Sequence, residues 1–157
     1  GMVVSGVLIV IGALLLHGWW DSRSGRTGTS VIALTGLSVS IVGLAPWDTH
    51  PGVHDFAALG QAVTQWLAMG LLAVAAERGH FRRLTIVALV VSLVGFAAFL
   101  AALEGVEVPW VGFGGAERLS FDTLSLWTAL VGATLLRRRG HRGQATGPAK
   151  SPTIRTR

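Results

Sequence analysis

Five stretches of the chain are apolar nearly all the way round, and short polar segments separate them. They cover about residues 3–20, 30–46, 56–76, 84–103 and 120–136. A bilayer core takes about twenty mostly apolar residues per helix, and each stretch meets or approaches that length. A helix lying on a soluble core would instead carry one apolar stripe and a charged opposite face. The pattern therefore predicts an all-α fold, a polytopic transmembrane helix bundle with about five spanning helices within residues 1–139. Pro46 closes the second stretch. The fifth is the shortest, and its upper end is polar through Ser120, Asp122 and Thr123. The first is too long for a signal peptide, is flanked by Trp19 and Trp20, and has no basic segment ahead of it. Residues 140–157 are rich in Gly, Pro, Ser, Thr and Arg. Such a segment cannot bury enough apolar surface to offset its ordering entropy, which predicts a disordered basic tail.

Composition agrees: 51% of residues are hydrophobic and 13% charged, roughly half the charged fraction of a soluble domain. The placement of charge matters more than the net +5. Arg23 and Arg26 lie between the first two stretches, Arg78, Arg82 and Arg83 between the third and fourth. Arg137, Arg138, Arg139, Arg142, Lys150, Arg155 and Arg157 follow the fifth, so 12 of the 13 basic residues fall on one face and only Arg118 on the other. Basic loops stay cytoplasmic, which predicts an outside N-terminus and an inside C-terminus. With no charged flank before it, an outside N-terminus leaves two readings. Either a helix is missing before Met2, or Gly1 is a tag remnant ahead of the true start. The chain has no cysteine, excluding disulfides, thiolate metal sites and cysteine nucleophiles. Nucleic acid is not an expected partner, because the basic residues have no aromatic-rich binding motif beside them. The expected partners are the lipid bilayer itself and anionic lipids at the basic tail.

The groups capable of chemistry gather on the outer face. Asp48, His50, His54 and Asp55 lie between the second and third stretches, and Glu104, Glu107, Glu117 and Asp122 between the fourth stretch and the start of the fifth. Two histidines and two carboxylates within eight residues are ligand types for a divalent metal such as zinc, with Asp48, His50 and His54 as the candidate set. Pro51-Gly52 is expected to turn the chain between the histidines, so that they are not two rungs of one helix. Against a site, Asp55 directly precedes an apolar helix and is a good N-cap, and the histidines can be wet loop residues. Below this loop, His54, Ala58, Gln61 and Gln65 recur on one helical face with Thr64 beside them. Polar groups in hydrocarbon need partners, so that stripe should face the bundle interior, either as packing glue or as a polar cavity. In the fifth stretch, Ser120 can cap the helix and Asp122 suits its first turn. Arg118 opposes the charge asymmetry and is expected to pair with Glu117, Asp122, Asp48 or Asp55. Asp48, His50, His54, Asp55, Glu117 and Asp122 are expected to converge at one membrane level, with carboxylate or imidazole atoms of the loop between the second and third stretches within about 5 Å of Glu117, Arg118 or Asp122.

The Asp48…His54-Asp55 loop opening a helix, then Gly115-Ala116-Glu117-Arg118 and Trp127 in the last helix, resembles the prokaryotic family known as domain of unknown function 998. The likeness covers about Val3 to Leu136. It implies a six-helix membrane bundle in a prokaryotic cytoplasmic (inner) membrane, the first helix being the one missing here, and it implies no activity. A looser likeness to Frag1/DRAM/Sfk1-type membrane proteins rests on the Asp-Thr-His…His-Asp run alone.

Three function classes follow. The leading reading is a membrane protein of unknown activity with an outward-facing pocket of Asp48, His50, His54, Asp55, Gln61, Gln65, Glu117, Arg118 and Asp122; a metal-dependent hydrolase of lipid or envelope substrates would use His50, His54, Asp48 and either Asp122 or Glu117 as ligands and base. A transporter would need a path past Gln61 and Gln65 to the cytoplasm, yet the lower halves of helices three to five hold no ionisable residue. A small structural or accessory subunit would use Gly/Ser faces, among them Gly36, Gly43, Ser92 and Gly95, to pack against a second copy or another membrane protein.

Overall fold

The computed structural model describes residues 1–76, 79–107, 109 and 111–145, with side chains through Val131. Those residues form five α-helices and no strand: α1 (Met2–His17), α2 (Arg23–Leu44), α3 (Pro51–Ala75), α4 (His80–Leu103) and α5 (Gly112–Ala145). Each helix packs mainly on its neighbour in sequence, α1 on α2, α2 on α3, α3 on α4 and α4 on α5, while α3 and α5 touch over a short length.

Four helices, α2 to α5, start at least four residues earlier than hydropathy suggests, and local capping explains the first two. For α2, the Ser22 side chain accepts from the Gly25 amide at 3.2 Å and caps the helix. Its polar first turns then satisfy themselves: Thr29 Oγ1 donates to Arg26 O at 2.9 Å and Ser30 Oγ to the same carbonyl at 3.1 Å. In α3, His50 is the N-cap and Pro51 occupies the first helical position, where its missing N–H costs nothing. The expected Pro51-Gly52 turn between the histidines is thus the first turn of the helix, and the His54 amide donates to His50 O at 3.0 Å. Asp55 lies inside the helix and is not its cap. α5 starts at Gly112, whose φ of +63° suits glycine, and its backbone is helical through Ala145, into the stretch expected to be disordered. Ser120 is accordingly mid-helix and not a cap. Residues 146–157, the rest of the expected tail, lie outside the described residues.

Burial is inverted relative to a soluble bundle. On α4 the buried residues are Thr85, Ser92 and Gly95, whereas Val87, Val90 and Val94 are 58%, 52% and 64% exposed. A sequence that turns small and polar residues inward and valines outward is built for hydrocarbon surroundings. Among the described residues, α2, α3 and α4 are long and apolar enough to cross a membrane, and α1 is apolar but shorter. A compact apolar cluster of Ala13, Ile32, Ala68, Met69, Leu72, Leu124, Trp127 and Val131 fills the rest of the interior. At the end where α1 meets α2 and α3 meets α4, Trp20 and Phe81 lie 6.3 Å apart, and the Arg26 Nε donates to Trp20 O at 2.9 Å. The two basic loops therefore sit at one end of the bundle.

Backbones approach closely where glycine permits. A Cβ at Gly36 would stand 2.7 Å from Gly6 O and 2.9 Å from the Val10 amide nitrogen, and one at Gly6 would collide with Gly36 O and Ser40 Oγ. Overpacking such a contact costs about 1–3 kcal/mol. Gly36→Ala is therefore expected to lower the thermal midpoint in detergent, whereas Gly70→Ala, whose added methyl meets nothing within 4 Å, should leave it unchanged or slightly raised. Equal midpoints for the two variants, followed by circular dichroism, would disprove the close α1–α2 crossing.

Candidate functional site

Two sets of polar residues differ sharply in their surroundings. One is buried at the centre of the bundle. Ser92 Oγ accepts from Gln65 Nε2 at 2.9 Å and from Trp66 Nε1 at 3.0 Å, and donates to Ser120 O at 2.7 Å. Gln65 Nε2 also donates to Ser120 O at 3.3 Å. α3, α4 and α5 are thereby joined through one hydroxyl and one backbone carbonyl. Two further links extend the pattern, Thr35 Oγ1 to Thr64 Oγ1 at 2.9 Å between α2 and α3, and Trp127 Nε1 to Thr85 Oγ1 at 3.0 Å between α5 and α4. Gln61 is buried at 5% exposure and Gln65 at 0%. The polar stripe of α3 thus faces inward, as its spacing indicates. Gln65 Oε1 and Ser120 Oγ are buried without a partner among the described residues.

The second set lies on the surface. Asp48, His50 and Asp55 are exposed, as are Glu117, Arg118 and Asp122. Pro46 O accepts from the Thr49 and His50 amides at 3.2 and 2.8 Å, so the loop is a tight turn closed on itself. His50 Nδ1 lies 3.0 Å from Thr49 Oγ1. His54 Nδ1 lies 3.5 Å from Asp55 Oδ1, with the two side chains 28% and 67% exposed, and this is the one ion pair among the described residues. Asp48, His50 and His54 do not gather, and no group of three His, Asp or Glu side chains suited to a metal occurs among the described residues. Nor is Arg118 paired, because no described carboxylate lies within 4 Å of it.

The reason is helical phase. The buried face of α5 is Ala116, Ser120, Leu124, Trp127 and Val131. With 3.6 residues per turn, Arg118 and Asp122 each point about 160° away from the middle of that stripe. They therefore face out of the bundle. A groove of about 320 Å³ lies over this outer face, bordered by Gly115, Arg118, Leu119, Asp122, Thr123 and Leu126.

Their level along the bundle follows from the α4–α5 register. Ser92 meets Ser120, a Cβ on Gly95 would meet Leu119 and Ser120, and Thr85 meets Trp127. Read along antiparallel helices, Arg118 is level with Val94 and Gly95, and Asp122 with Val90 and Val91. Both levels fall within about 5 Å of the middle of the apolar run from Leu84 to Leu103. Sequence reading placed these two residues at the outer end of the bundle. The early start of α5 sets them beside the middle of α4.

Sequence reading treated Ser92 only as a small packing residue and passed over Trp66 and Thr85. A signal was present. Thr85 and Ser92 are seven residues apart, as are Ser120 and Trp127, and both spacings put a polar group on one face two turns along.

Helices with polar inner faces and apolar outer faces define a helical integral membrane protein. Within that class the chain belongs to DUF998, a family of proteins of unknown function, whose family model matches residues 1–134. Neither a curated protein nor a solved structure matches the chain.

Interhelical hydrogen bonds within membranes contribute about 0.6 kcal/mol each on average, and Ser92 takes part in three. Ser92→Ala is expected to lower stability by about 1–2 kcal/mol. In a double-mutant cycle with Gln65→Leu the two losses should be strongly non-additive, because both variants remove the same bond. Additive losses in equilibrium unfolding from mixed micelles would mean that the two side chains act independently.

Proposed function

We propose that this protein is a multi-pass subunit of a prokaryotic cytoplasmic membrane, N-terminus outside and C-terminus inside, that works by assembling laterally with another transmembrane segment. The observation that carries this reading is the exposure of Arg118 and Asp122 at mid-bundle level. Insertion of an aspartate at the centre of a membrane helix costs about 3 kcal/mol, and ionisable residues there turn toward protein partners or water-filled cavities instead of lipid. In this chain the interior is already occupied by the Ser92 network, so the partner has to come from outside the bundle. The outward-facing pocket expected from the sequence is less well supported, because its groups are spread over separate surfaces. A hydrolase would need them together.

The orientation rests on the basic residues, 12 of 13 of which belong to the start of α2, the α3–α4 loop with the start of α4, or the segment after Leu136. In intact cells a cysteine at Thr49 is expected to react with a membrane-impermeant maleimide and one at Gly79 is not. The native chain has no cysteine to confuse the readout. Labelling at Gly79 alone would invert the topology.

Assembly is tested by native mass spectrometry of the protein released from nanodiscs. A particle heavier than the 16.5 kDa chain is expected. A single chain with full helical ellipticity across the accessible concentration range would refute the assembly reading.

A further inference from the structure

Accepting the assembly reading, we propose that the segment covering α5 is the α5 of a second copy, held by reciprocal pairing of Arg118 on each copy with Asp122 on the other. The face carries one cation and one anion a single turn apart, and both are exposed. Such a face is complementary to itself. A two-fold axis along the membrane normal brings each Arg118 toward the other copy's Asp122, because an isologous interface places residue i against j and j against i. The offset between the two levels is about 6 Å, one turn of helix, and the long arginine side chain spans most of it while its alkyl stem stays in the apolar surroundings.

Pairing within one helix is the competing arrangement, and the geometry disfavours it. The two side chains stand at i and i+4 but do not come within 4 Å. The order is also the weaker one, since a cation N-terminal to its anion runs against the helix dipole. Around the pair the surface suits a helix partner. Gly115 and Thr123 keep the groove shallow, and Leu126, 64% exposed, offers apolar contact beyond the charges. Small residues flanking a polar contact are the usual composition of a membrane helix interface. An anionic lipid headgroup does not fit the same observations, because it would meet Arg118 but repel Asp122.

A charge-exchange series tests the proposal. Wild-type protein in nanodiscs is expected at twice 16.5 kDa. Asp122→Arg places four cations at the interface and should yield single chains, and Arg118→Asp combined with Asp122→Arg should restore the double mass. As a check independent of folding defects, Leu126→Cys should form a disulfide between copies in native membranes, whereas Leu14→Cys on α1, 67% exposed on a helix packed mainly against α2, should not. Unchanged dimers in Asp122→Arg, or a swap that fails to restore them while helical ellipticity is retained, would overturn the reciprocal pairing. A wild-type particle holding one copy plus a different polypeptide, cross-linked at Leu126→Cys, would overturn the second copy yet keep the assembly reading. A lone chain would sink both.

Discussion

Everything in the centre of this bundle hangs on the hydroxyl of Ser92. It accepts from Gln65 and Trp66 of α3 and donates to the backbone carbonyl of Ser120 in α5, so one small side chain uses its full hydrogen-bonding capacity across three helices. In hydrocarbon there is no hydrophobic force to press helices together, and close packing with interhelical bonds must replace it. Gly95 makes the contact possible. Its bare Cα lets the α5 backbone come near enough that an added Cβ would lie 2.7 Å from the Ser120 amide nitrogen. The hydroxyl and the glycine are thus two parts of a single device. Gln65 can be wholly buried only because that device gives its amide two acceptors.

That crossing has consequences for the rest of α5. Once Ser120 is locked against Ser92, the phase of the helix is set, and Trp127 falls against Thr85 two turns below. The same rotation carries Arg118 and Asp122 to the far side. Their exposure is thus a product of the packing at Ser92 and not a separate feature. Ionisable side chains exposed at this level are the observation on which the proposed lateral assembly rests. The residues that secure the interior and those exposed on the opposite face alternate along one helix.

The histidine loop shows the opposite situation, in which local rules outweigh a suggestive composition. Pro51 suits the first position of a helix, and the chain takes that option, so α3 begins there and Asp55 is drawn into its second turn. Pro46 O meanwhile gathers the Thr49 and His50 amides. The loop is satisfied by its own backbone, and its carboxylates and imidazoles are left on the outside. Ligand types crowded in sequence do not make a site unless the backbone turns them toward one point.

Membrane class, helix number and the inward polar face of α3 were legible in the sequence because each depends on composition and period alone. Apolar runs of about twenty residues announce spans, and Gln61, Thr64 and Gln65 fall on one face by helical periodicity, whatever the neighbours do. Helix starts were less legible, since hydropathy is blind to capping. The polar turn from Ser22 to Ser30 is helical because its hydroxyls return to their own carbonyls. The Ser120–Trp127 spacing marks one face of α5, but it does not say that this face is the one that meets the core. Both of its faces carry polar residues, Ser120 on one and Asp122 on the other, and a single helix does not say which will meet a neighbour. Only the crossing of α4 and α5 at Gly95 and Ser92 decides between them, and that contact joins residues 28 apart in the chain.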